Sequence, residues 1–177
     1  MHRIMLVDDE ENILLSLNRS LRKNSSLDVV SHTSPLDALQ EASESHFDLF
    51  LSDYRMPEMD GVNFLTSTKH FHPNAMRLIL SGTADFDVLI AAINRAEIYR
   101  FIAKPVRSEE LLHTLNQALH LHDIIEENQR LSAQVRTQSQ ELKNRETALK
   151  RFANEHPVLA RVEWGPDGSI ILDESDT

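Results

Sequence analysis

The chain contains no cysteine in 177 residues. Disulfides, iron–sulfur clusters and thiolate zinc sites are therefore excluded, and the composition suits a reducing cytosol. Glycine is scarce, at four residues, and no glycine-rich phosphate loop is present. Basic charge is in deficit: 18 Lys and Arg face 28 Asp and Glu, for a net charge of −10. A nucleic-acid or anionic-membrane surface is then not expected as the main partner. No run approaches the roughly 18 apolar residues of a membrane span, and Met1–Val7 reaches acidic residues too soon for a signal peptide. A soluble, cytoplasmic protein is expected. What is present is globular: 41% apolar and 26% charged residues, enough for one sizeable core with length left over.

The chain is organised around Phe47–Gly61. Leu49-Phe50-Leu51 is a short apolar run with the flanks of a buried parallel strand. It stops at Asp53, and Met56-Pro57 and Asp60-Gly61 follow as turn signals. Taken alone, Asp53 is either a loop cap or a carboxylate placed where open α/β sheets carry their chemistry.

The remaining elements decide between these readings. Ile4–Val7 predicts a first strand ending in Asp8-Asp9, and Ile13, Leu14, Leu17 and Leu21 a helix. Asp28–Thr33 reads as a second strand. Ser34-Pro35 is an N-cap with proline at the first helical position, opening a helix to about Glu44. Val62–Leu65 begins a helix after Gly61, Met76–Leu80 is a fourth strand ending at Ser81-Gly82-Thr83, and Val88, Leu89, Ala92 and Ile93 mark another helix. Tyr99–Ala103 is a fifth strand ending at Lys104-Pro105, and Ser108 starts a helix carrying Leu111, Leu112, Leu115, Ala118 and Leu119. Five such alternations predict a five-stranded, parallel, doubly wound α/β sheet. Its strand ends would bring Asp8, Asp9, Asp53, Ser81 and Lys104 to one edge.

This set resembles the receiver domain of two-component response regulators, which has a flavodoxin-like fold. The matching stretches are Leu6-Val7-Asp8-Asp9-Glu10, Ser52–Pro57, Met59-Asp60-Gly61, Leu80–Thr83 and Phe101–Pro105, and they cover roughly residues 1 to 120. The resemblance implies that Asp53 accepts a phosphoryl group from a histidine kinase or phosphotransfer protein. It implies Mg²⁺ held by Asp8, Asp9, Asp53 and the backbone carbonyl of Arg55, with Lys104 supplying positive charge for the phosphoryl oxygens. It further implies a switch in which the Ser81 hydroxyl moves toward the phosphate and the Phe101 ring turns inward, and a cis Lys104–Pro105 bond. The residue types suit the chemistry: phosphoryl transfer is mostly positioning and charge neutralisation, and hard oxygens suit Mg²⁺. Serine and phenylalanine stand where threonine and tyrosine are common in the family. Plain core packing remains the other reading of Phe101. The protein is not expected to be a turnover enzyme on an external metabolite.

Beyond Leu119 no helix breaker occurs until Pro157. Leu121, Asn128, Val135, Leu142 and Leu149 are spaced by seven, with Ile124, Leu131, Gln138, Arg145 and Phe152 between them. This a/d seam, with Asn128 at an a position, predicts a coiled coil over 121–153 and a parallel homodimer through residues 121–152, a stretch of about 48 Å. The alternative is a solvated single helix. For residues 154–177, Trp164 and Ser169–Leu172 flank the turn residues Gly165-Pro166-Asp167-Gly168, which reads as a β-hairpin or else an acidic tail. His70/His72 and His120/His122 lack further ligands nearby in sequence and are expected at the surface. Fewer than roughly 60 residues follow the receiver, too few for a typical second domain, and no DNA-binding helix-turn-helix is found. The expected output is contact with a downstream protein. A constitutive dimeric scaffold, the N-terminal part of a longer regulator, and a metal-dependent phosphatase using Asp53 are the competing readings.

Overall fold

A computed structural model describes all residues except 23–24, 83–95, 156–162, 165–169 and 172–177, and side chains to residue 155. The elements are β1 (His2–Val7), α1 (Glu11–Leu21), β2 (Leu27–His32), α2 (Pro35–Glu44), β3 (Leu49–Asp53), α3 (Gly61–Phe71), β4 (Met76–Ser81), β5 (Arg100–Ala103), α4 (Ser108–Glu155), β6 (Glu163–Trp164) and β7 (Ile170–Ile171). The expected helix through Val88–Ile93 and the hairpin turn lie outside the described residues.

The first five strands form one parallel sheet in the order β2-β1-β3-β4-β5. Because side chains alternate across a strand, each strand feeds two cores. Ile4, Leu6, Leu49, Leu51, Leu78 and Leu80 face Leu14, Leu17 and Leu21 of α1 and Leu111, Leu115 and Leu119 of α4. Met5, Val7, Phe50 and Ile79 face Ala38 and Ala42 of α2 and Val62, Phe64 and Leu65 of α3. β3 and β4 are buried along their whole length, as expected of central parallel strands.

The helix starts follow the sequence signals. Ser34 Oγ accepts from the Asp37 amide at 3.3 Å with Pro35 in the first turn. Asp60 Oδ1 accepts from the Asn63 amide at 2.8 Å. β1 begins at His2, two residues before the apolar run, since the His2 amide donates to the Ser26 carbonyl at 3.0 Å. The Lys104–Pro105 bond is cis, as the resemblance implies.

The chain divides into two compact units, Met1–Glu127 and Asn128–Thr177. In the first, α4 buries Leu111, Thr114, Leu115, Ala118, Leu119 and His122. In the second, β6 and β7 pair antiparallel. From Glu126 onward the helix is exposed almost throughout, including Leu131, Val135, Leu142 and Leu149. No helix among the described residues is long and apolar enough to cross a membrane.

One expectation is corrected. His70 and His120 are exposed, but His72 and His122 are buried, at 8% and 5% exposure. On α4 two residues turn about 200°, so His122 points away from His120 toward the body of the fold. His72 follows the last residue of α3, where its Nε2 lies 2.7 Å from the buried Ala42 carbonyl oxygen.

Leu115 is fully buried against the sheet. Leu115→Ala is therefore expected to cost about 2–5 kcal/mol in urea unfolding, whereas Gln117→Ala, on the exposed face of the same helix, should change stability by less than about 0.5 kcal/mol.

Candidate functional site

Each site residue sits where a strand runs out. β1 is followed by Asp8, fully buried; β3 ends on Asp53, 6% exposed; β4 ends on Ser81, 1% exposed; and β5 is followed by Lys104. In a parallel sheet these ends share one edge. Ladder-type bonds hold them there: Asp8 N donates to His32 O (3.2 Å), Tyr54 N to Leu80 O (2.9 Å), and Lys104 N to Ser81 O (2.9 Å).

The centre of the site is the Lys104 ammonium. Nζ donates to Asp8 Oδ2 at 2.8 Å and lies 2.5 Å from Asp53 Oδ1. The other carboxylate oxygens are also held, Asp8 Oδ1 by the Glu10 amide at 3.0 Å and Asp53 Oδ2 by the Arg55 amide at 2.7 Å. Burial pushes the Asp8 carboxyl above the usual carboxylate range, although Lys104 and the Glu10 amide pull it back. For Lys104, burial disfavours the charge, but the hydrogen bonds and charges of Asp53 and Asp8 outweigh it and raise its pKa. The ammonium is thus fixed in its charged form.

Ser81 Oγ is buried beside this group and has no hydrogen-bond partner. A buried hydroxyl without a partner carries a desolvation cost; here it leaves a donor free at a strand end. Asp9 and Arg55 are exposed and sit next in the chain to Asp8 and two residues beyond Asp53. Phe101 is half-buried, its ring packed against the core on the α2/α3 side of the sheet. The structure thus brings Asp8, Asp53 and Lys104 into contact, leaves Asp9 and Arg55 exposed close by in the chain, and sets Phe101 two residues before the end of β5.

Gly61 has a second role that the sequence reading missed, since it was read only as a turn signal. Its amide donates to the Tyr54 carbonyl at 2.9 Å. A Cβ at this position would collide with the Asp53 carbonyl oxygen and crowd Ser52 Oγ, which itself donates to that carbonyl at 2.9 Å. The glycine therefore lets the loop close back on the backbone that carries Asp53. The Asp60-Gly61 dipeptide eight residues after Asp53 was the available signal.

The donor set suits a hard divalent cation. Two buried carboxylates, a third at the rim and a nearby backbone carbonyl are all oxygen. The Lys104 ammonium is shared between two carboxylates, Asp8 and Asp53, with Asp9 a third acid next to Asp8 in the chain. The upward pKa shift of Asp8 also indicates that more positive charge there would be favourable.

Strand order, helices on both sheet faces and this edge together define a flavodoxin-like receiver fold. The model of the response regulator receiver domain matches residues 4–116, and the chain belongs to that family. It is 31% identical over 140 residues to the hydrogenase transcriptional regulatory protein HoxA of Bradyrhizobium diazoefficiens, an alignment covering 79% of this chain and 28% of that protein. It is 30% identical over 119 residues to the chemotaxis protein CheY of Bacillus subtilis, covering 67% of this chain and 98% of CheY. The crystal structure of the signal receiver domain of an HD domain-containing protein from Pseudomonas fluorescens Pf-5 superposes with a TM-score of 0.65 at 34% identity, covering 69% of this chain and 97% of that one. The chain spans about three tenths of the length of the HoxA regulator it matches. These likenesses make it a two-component response regulator by its receiver domain.

Two changes test the site's construction. Lys104→Met leaves the buried Asp8 and Asp53 carboxylates facing each other, at an expected cost of about 1–3 kcal/mol at pH 7. A carboxyl raised in the folded state binds protons more tightly there than in the unfolded chain, so its contribution to stability falls as pH rises. Without the ammonium that slope steepens, and urea midpoints should show the variant recovering toward wild type as pH is lowered from 7 to about 5. Gly61→Ala should be destabilised by about 1–3 kcal/mol.

Proposed function

We propose that the protein is a phosphorylation switch. Asp53 accepts a phosphoryl group from a phosphohistidine of a kinase or phosphotransfer protein, and a downstream protein reads the change. The observation that carries this reading is the Lys104 ammonium clasped between Asp8 and Asp53 beside a buried, unpartnered Ser81 hydroxyl.

In the reaction, a carboxylate oxygen of Asp53 attacks phosphorus. The phosphorus–nitrogen bond of the donor breaks, and the imidazole leaves with the electron pair. Bound Mg²⁺ would neutralise charge on the phosphoryl oxygens, held by Asp8, Asp9, Asp53 and the Arg55 carbonyl. Lys104 leaves its place between the two acids and pairs with a phosphoryl oxygen. Ser81, which has no bond to give up, donates to another. Movement of Ser81 opens space behind the strand end, and the neighbouring Phe101 ring turns into it, changing the surface at β5 and the start of α4. Asp53 is regenerated by hydrolysis of the acyl phosphate, so the protein turns over only its own modification.

Output is through a homodimer formed by residues 121–152. Support comes from exposed apolar side chains at heptad spacing: Leu131, Val135, Leu142 and Leu149 are 47–68% exposed on α4. An apolar stripe of that length is usually covered by a partner, and Asn128 at an a position favours two parallel chains in one register. The β6–β7 hairpin offers a further contact surface.

The test is phosphoprotein formation from acetyl phosphate and Mg²⁺, together with mass by light scattering with and without beryllofluoride. Wild type should gain one phosphoryl group and Asp53→Ala none; equal labelling of both would refute the assignment. A change of mass or shape with the mimic in wild type alone would mean that the receiver gates the coil. A dimer indifferent to it would mark the coil as a constitutive scaffold, and a monomer would refute the dimer. Asn128→Leu should stabilise the coil and broaden its oligomer distribution in sedimentation.

A further inference from the structure

The sheet has a second polar cluster at its opposite edge, where the strands begin. His2 opens β1, Asp48 immediately precedes β3, and His122 and Asp123 lie on α4. All four belong to the unit Met1–Glu127. We propose that His2, His122 and Asp123 bind a divalent transition-metal ion of the zinc class, with Asp48 orienting both imidazoles.

The geometry separates the nitrogens into two sets. One from each ring faces Asp123: His2 Nε2 is 3.6 Å from Asp123 Oδ2, and His122 Nδ1 is 3.7 Å from Asp123 Oδ1. Ligand atoms from the three residues lie within 4.8 Å of one another. Around a tetrahedral ion with bonds of about 2.0–2.1 Å, neighbouring ligand atoms are roughly 3.3 Å apart, so the set must draw in from its present spacing to close on an ion. The remaining nitrogens both face Asp48, His2 Nδ1 at 3.7 Å and His122 Nε2 at 3.8 Å. Asp48 is itself anchored by the Arg3 amide at 2.7 Å and by His46 Nε2 at 3.0 Å. An acid behind each imidazole is the carboxylate–histidine–metal order, and at 3.7–3.8 Å Asp48 must draw closer to both rings to hydrogen-bond them and fix their tautomers.

An independent observation points to a ligand. His122 is 5% exposed, and its Nδ1, one of the atoms aimed at Asp123, has no hydrogen-bond partner. A buried ring nitrogen left unsatisfied is costly, and a metal bond would satisfy it. Two imidazoles and one carboxylate select Zn²⁺, Co²⁺ or Ni²⁺ over Mg²⁺. Three protein ligands leave a fourth position for water. A bound ion would tie the first residue of β1 to the last buried turn of α4, away from Asp53.

The experiment is titration of the chelator-stripped, full-length chain with Co²⁺, read by its visible d–d absorption, in excess Mg²⁺ to occupy the oxygen donors at the other edge. One Co²⁺ per chain is expected, displaced by Zn²⁺. His2→Gln and Asp123→Asn should each weaken it at least about tenfold, and Asp48→Asn by about 10–100-fold. His122→Gln, checked for fold by circular dichroism, should abolish it and so exclude binding by the amino terminus and His2 alone. Absence of the band in wild type would overturn the proposal. So would a band unchanged in His2→Gln and Asp123→Asn, or one removed by Mg²⁺.

Discussion

The contact on which the rest of this fold depends is the ion triplet of Asp8, Lys104 and Asp53. Three charged groups from three strand ends meet at an edge where Asp8 has no exposure at all. Each would be costly alone, since an unpaired buried charge loses its hydration without recompense. Together they fix the ends of β1, β3 and β5 relative to one another. The apolar strands make this possible by burying β3 and β4 along their whole length. Gly61 serves the same end from below, since no side chain there can separate the loop from the Asp53 carbonyl.

The triplet is also unstable in a useful sense. Lys104 satisfies two acids at once, but a phosphoryl group on Asp53, as proposed, would bring negative oxygens that compete for the same ammonium. Ser81 is already without a partner, so recruiting it forfeits no existing bond. An arrangement with one shared cation and one idle hydroxyl has a low barrier to rearrangement on arrival of new charge. That is the property a bistable element needs.

Much of this edge was legible in the chain because parallel strands mark themselves by continuous apolar runs, and the first polar residue after each run falls at the edge. Asp8, Ser81 and Lys104 follow that rule and Asp53 falls one residue later, after Ser52, while the heptad residues of α4 follow their own. Gly61 was harder to read, because its constraint comes from the backbone of Asp53, eight residues away and brought near only by the loop closing. His72 and His122 are buried against the surface expectation, whereas His70 and His120 are exposed as expected, because partners distant in the chain decide burial. His2, Asp48 and His122 are far apart in the chain and meet only because β1 and β3 are neighbours and α4 packs across their starting ends. Sequence periodicity locates the face a residue occupies but not which distant residue shares its edge.

The two edges of the sheet differ in a way that follows from strand polarity. The carboxyl edge collects oxygen donors and an ammonium, a combination suited to a hard, hydrated ion and to transferable phosphoryl groups. The amino edge collects imidazoles backed by carboxylates, which favour a borderline ion with directional bonds. Ions of the first kind compete poorly for imidazole nitrogen. An ion of the second kind would bind the Asp8–Asp53 pair only by giving up its nitrogen ligands and displacing Lys104. Donor chemistry thus keeps the two edges distinct without a barrier between them. The Asp48 carboxyl sits immediately before the strand that ends in Asp53, and His2 opens the strand that is followed by Asp8, so β3 and β1 both link one edge to the other. Rigid strands transmit position and not charge, so occupancy of the amino edge would act on the Asp8–Asp53 edge only through the placement of β1, β3 and α4.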